Sequence, residues 1–131
     1  MRYFAEGAVS LKGLAAALKA IDPQFKIDGG ELMQGPQILA EVEIDNAGSD
    51  LFNEEIATKV GGLEHVPSPT AQHVIARLRG TQSIVAVKID PNIAWELLNP
   101  LWSVLPNLST GITHVDGQGF YDGGQLIVNL A

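Results

Sequence analysis

The sequence predicts an α+β domain: an antiparallel sheet or sheets with helices on one side. Three observations carry this. Four stretches with apolar residues at helical spacing each follow a serine or aspartate cap, at Ser10, Ser49, Ser68 and Asp90. Short alternating or apolar runs lie between and after them, bounded by glycine and proline. A shift of 88 residues lays one glycine-rich region, around Asp28, over another, around Asp116. At 131 residues, 46% of them apolar, the chain has the size and core content of one domain, 1–131.

The elements follow in chain order. Residues 2–9 read as a strand. Ser10 caps a helix whose Leu11, Leu14, Ala15 and Leu18 share one face, and Asp22-Pro23 stops it. Phe25 to Asp28 is a short strand entering a Gly29-Gly30 turn or bulge. After Gly35-Pro36, Ile38, Ala40, Val42 and Ile44 alternate with Leu39, Glu41 and Glu43, the pattern of a strand with one buried face. Ser49-Asp50 opens a second helix with Phe52, Ile56 and Val60 inward, and Gly61-Gly62 ends it. Ser68-Pro69 opens a third, with Ala71, Val74, Ile75 and Leu78 inward and Gly80 behind it.

Ile84-Val85-Ala86-Val87 is apolar on both faces and reads as a central strand. Asp90-Pro91 starts a fourth helix carrying Trp95, Leu98 and Trp102 on one side. Pro100 should kink or restart it near Asn99, and Pro106 should end it. Residues 112–116 and 125–130 are the last strands, with a glycine-rich connection between them.

The shift of 88 aligns residues 27–39 with 115–127 without gaps. Asp28/Asp116, Gly29/Gly117, Gly35/Gly123 and Gln37/Gln125 are identical, and Ile27/Val115, Leu32/Phe120, Ile38/Leu126 and Leu39/Ile127 are apolar in both. This suggests an internal duplication: two βαββ units, halves 1–48 and 81–131, related by a pseudo-twofold, with a helical insert 49–80.

Charge and composition narrow the function classes. The net charge is −7, all eight basic residues lie at or before Lys88, and Asp90, Glu96, Asp116 and Asp122 follow without a cation. Such a surface repels phosphate backbones, so a nucleic-acid partner is not expected. The chain has no cysteine, which removes disulfides, thiolate metal sites and a thiol nucleophile, and suits a cytoplasmic setting. The N-terminal residues lack a signal-peptide pattern. No run approaches the ~18–20 apolar residues of a membrane span, so no membrane role is expected.

Candidate chemistry is sparse. His114 and Asp116 are two apart on a strand, so imidazole and carboxylate should sit together as an oriented acid/base pair. The loop 116–124 offers Tyr121 and Asp122 as ligand-binding groups, but matches no dinucleotide, phosphate-loop or calcium-loop pattern. His73 and Arg77 share a helix face, with His65 nearby, and read as solvated. No metal site and no cofactor is expected. Trp95 and Trp102 are either core or an interface, where tryptophan is enriched. The leading expectation is a non-catalytic protein-binding or self-associating module, a homodimer or one half of a complex. The alternative is a small enzyme or small-molecule binder near His114 and Asp116.

Overall fold

Two strands that are apolar on both faces set the centre of the molecule. The computed structural model describes residues 1–130. In it β1 (Arg2–Ala5) and β5 (Ser83–Ile89) lie side by side within one eight-stranded sheet, whose neighbours are all antiparallel. A meander of β2 (Phe25–Asp28), β3 (Glu31–Gln34) and β4 (Gln37–Asn46) joins the β5 side. A second meander of β6 (Gly111–Val115), β7 (Gly119–Asp122) and β8 (Gln125–Asn129) joins the β1 side. The order is β2-β3-β4-β5-β1-β6-β7-β8.

The α+β class and the antiparallel sheet agree with the sequence. The single helical layer does not. α1 (Leu11–Ile21) and α4 (Asn99–Leu108) pack on one face, where Leu14, Leu18, Leu101, Val104 and Leu105 meet Tyr3, Ala5, Val85 and Val87. α2 (Asp50–Glu64) and α3 (Pro69–Arg79) pack on the other, where Phe52, Leu63, Val74 and Leu78 meet Phe4, Ile84 and Ile112. The reason is strand alternation: β1 sends Tyr3 and Ala5 to one side and Phe4 to the other, and all three are buried. One layer of helices cannot cover both.

Caps fix the helix starts as the sequence indicates. Ser10, Ser49 and Ser68 each accept a backbone N–H of the first turn. After Asp90 the chain makes a 3₁₀ turn, Trp95–Leu98, and restarts as α4 at Asn99, with Pro100 in the first turn where its missing N–H is harmless. Pro106 lies inside α4 rather than ending it, and α2 runs through Gly61-Gly62 to Glu64. β1 stops at Ala5, well short of Val9.

Each meander has one strand more than the sequence suggested, so the halves are βαβββ. β3 and β7 are four residues long and sit between glycine turns, too short to show a period. The two outer hairpins nonetheless correspond at the shift of 88. Leu32 pairs with Ala40 and Met33 with Ile38, leaving Leu39 as a bulge; Phe120 pairs with Val128 and Tyr121 with Leu126, leaving Ile127. Gly35 and Gly123, in the tight turns, have φ of 59° and 58°. The expected pseudo-twofold fails at the level of strand order. The first meander attaches through its third strand, β4 to β5, and the second through its first, β6 to β1.

Ser83 is the polar exception in the centre. It is fully buried; its hydroxyl accepts the Val9 N–H at 3.0 Å and donates to Asn46 Oδ1 at 2.9 Å. One side chain thus holds the β1–α1 connection and the end of β4. Ser83→Ala should cost about 1–3 kcal/mol, because it orphans the buried Val9 N–H and unpairs Asn46. Urea denaturation of the two proteins measures the difference.

Candidate functional site

The two helix pairs cover the sheet with an offset. α1 and α4 lie over β1 to β5 and leave the β6–β8 end of their face bare. α2 and α3 lie over the β1 and β5 to β8 end and leave part of β3 and β4 bare on theirs. That second bare area is polar: Glu31, Glu41, Glu43 and Lys88 border it, with Glu41 paired across strands to Lys88.

The first bare area is different. Register places Tyr3, Thr113, Tyr121 and Leu126 directly opposite one another on β1, β6, β7 and β8, so they form one row on one face. Trp102, Leu105 and Pro106 of α4, with Trp95 from the 3₁₀ turn, wall that row on one side. The result is an apolar, aromatic groove of about 770 Å³, within the usual range of ligand pockets. The tryptophan rings are tilted by 37° with centroids 6.1 Å apart. Trp95 is 54% exposed and stands at the rim, while Trp102 is half-buried and packs against the core beneath it.

Several polar groups of the groove are already engaged. The Tyr3 hydroxyl donates to Ser109 O at 2.7 Å, and burial pushes its phenol up to about 12, which keeps it a neutral donor. The Tyr121 hydroxyl pairs with Gln118 Oε1. At the far end Arg77 reaches from α3 past the end of the sheet, donating from Nε to Glu6 Oε1 and from Nη1 to Asp122 Oδ2, both at 2.8 Å. The bond from Arg77 Nε, with a second from the Thr110 hydroxyl, holds the Glu6 carboxyl below its ordinary value.

His114 lies on the opposite face. It stands in the row Arg2, His114, Phe120, Val128, beneath the α2–α3 layer. Its ring is 4.8 Å from that of Phe120, and its side chain is 10% exposed. Nδ1 is 3.7 Å from Asp116 Oδ1, too far for a hydrogen bond, and has no partner among the described residues. Burial is the main cause that lowers its pKa to about 4, with Lys59, Arg2 and the N-terminal ammonium adding to it and Asp116 opposing. Arg2 itself is held by Glu55 of α2.

The six candidate residues therefore fall into separate places. His114 and Asp116 are neighbours, as expected, but without a shared proton and without access to the groove. Tyr121 and Asp122 line the groove on the other face, beside Trp95 and Trp102. The four residues offered as one catalytic and ligand-binding site are not brought together. Tyr3, Thr113 and Leu126 were missed, because their row exists only once strand register is known. Arg77 was singled out with His73, but it turns to Glu6 and Asp122 instead. Among the described residues, no cluster of three metal-binding side chains occurs, and no helix is long and apolar enough to cross a membrane. No protein-family model matches the chain, and neither a curated protein nor a solved structure does.

The burial of His114 has a consequence for pH. The unfolded imidazole protonates near 6.5 and the folded one near 4. Between these values the unfolded state binds more protons, so stability should fall as pH falls from 6.5 towards 4, by at most about 1.4 kcal/mol per pH unit. His114→Leu should flatten that part of the profile, read by denaturant melts across the range.

Proposed function

We propose that this protein is a non-catalytic binding domain that takes an apolar segment of a protein partner into the two-tryptophan groove. The observation that carries the reading is an aromatic row on a bare sheet face, rimmed by a half-exposed tryptophan. Exposed aromatic patches of this kind are where binding energy concentrates. The groups that could move protons there are committed to one another: Arg77 to two carboxylates, Tyr3 to a backbone carbonyl. The charge layout supports a basic character in the partner, since the chain carries −7 and no cation follows Lys88. It argues equally against nucleic acid. A cytoplasmic setting belongs to the same reading and suits the cysteine-free sequence.

Two synthetic peptides test it, one alternating leucine with lysine and one alternating leucine with glutamate. Tryptophan fluorescence should show saturable binding of the lysine peptide, weakened by salt, and none of the glutamate peptide. Trp95→Ala should weaken that binding about tenfold or more, as for an interface anchor. If neither peptide binds, or if Trp95→Ala binds as well as the parent, the groove is not the site.

A further inference from the structure

The walls and one end of the groove carry a charge pattern of their own. Tyr3, Trp95, Trp102 and Tyr121 bring four aromatic rings to it. The face of such a ring is partly negative and attracts a cation. At the Arg77 end two carboxylates, Glu6 and Asp122, share one guanidinium, which leaves that end with negative charge in excess. Met1 also lines the groove, and its ammonium is matched in turn: it donates to Val87 O at 3.1 Å and stands 3.7 Å from Asp116 Oδ2. Among the described residues no lysine or histidine lines the groove. The rings and the carboxylate end together suit a cation.

The acceptors decide which cation. A bare ammonium brings three N–H donors, and each needs an acceptor once water is excluded. The Ser109 carbonyl and Gln118 Oε1 accept from Tyr3 and Tyr121. Both Glu6 oxygens are used, by Arg77 and Thr110, and Asp122 Oδ2 accepts from Arg77. Asp122 Oδ1 and the Thr113 hydroxyl have no partner among the described residues, one acceptor short of what an ammonium wants. A trimethylammonium group has no N–H to satisfy. It keeps the charge and presents methyl groups that pack on ring faces.

We propose that the groove selects a methylated lysine, carried in the partner's apolar segment, and holds its head group against the aromatic rings beside Asp122. The inference rests on the groove reading above and goes beyond it by fixing which cation the partner carries. At about 770 Å³ the groove also has room for apolar residues that flank the modified side chain.

Three peptides with the same leucine spacing test it, read by tryptophan fluorescence at constant ionic strength. One carries lysine, one trimethyl-lysine, and one the uncharged isostere with carbon in place of the ammonium nitrogen. The trimethylated peptide should bind about tenfold tighter than either of the others. Trp95→Leu keeps an apolar side chain but no ring, and should remove most of that preference with circular dichroism unchanged. Asp122→Asn can still accept from Arg77 but lacks the charge, and should narrow the gap between the trimethylated peptide and its isostere. Equal binding of the lysine and trimethyl-lysine peptides overturns the proposal and leaves the groove reading standing. Equal binding of the isostere overturns it too, since the charge is then not read. A preference that survives both Trp95→Leu and Asp122→Asn shows that the head group sits elsewhere. Binding to phosphatidylcholine vesicles in place of the peptide assigns the trimethylammonium to a lipid and overturns the lysine. If no peptide binds, the groove reading falls with it.

Discussion

Tyr3, Phe4 and Ala5 are consecutive, extended and buried, and the architecture follows from that. Adjacent strand residues point to opposite faces, so a strand with no solvent side needs a layer above and a layer below. β5 makes the same demand beside it, with Ile84 on one face and Val85 and Val87 on the other. Four amphipathic helices supply the two layers in pairs, α1 with α4 and α2 with α3. Each pair is narrower than an eight-stranded sheet, so each leaves part of its face bare. The groove and the acidic patch are the two remainders.

What fills these remainders separates them. On β4 the outward residues are Glu41 and Glu43, the ordinary solvated side of an alternating strand. On β6 and β7 the corresponding residues are Thr113, Val115 and Tyr121, with tryptophans leaning over them. Leaving such residues uncovered forgoes roughly 25 cal/mol for each Å² of apolar surface that could have been buried. In the proposed function this is the row that the partner's apolar segment covers. The opposite row, through His114 and Phe120, shows the same strands treated as core, with an imidazole held neutral by its surroundings.

Much of this was legible in the residues themselves. Ser10, Ser49 and Ser68 announced their helices, and the double-faced run Ile84 to Val87 announced a central strand. That same run implies a covering layer on each face, but the consequence is visible only once β1, legible as a strand but not as a central one, is known to share the centre. β3 and β7 were hidden because each is only four residues between glycines. The correspondence of residues 27–39 with 115–127 was legible, yet neither the bulge it carries nor the way each meander attaches was, because both are decided by strand pairing. Local spacing found His114 with Asp116, and Trp95 with Trp102. It could not assign them to faces, since a face is fixed by register with β1, β7 and β8.

The first strand of the chain lies at the middle of the sheet, between β5 and β6. Its partners, such as Ala86 and His114 for Arg2, come from the second half of the sequence. Contacts this distant require large loops to close before they are rewarded, and such topologies fold slowly. During synthesis β1 emerges well before its neighbours β5 and β6. The first meander and α1 can form early, but the sheet has no centre until β5 has been made. Until then Tyr3, Phe4 and Ala5 form an unpaired apolar strand, the part of the nascent chain most in need of shielding.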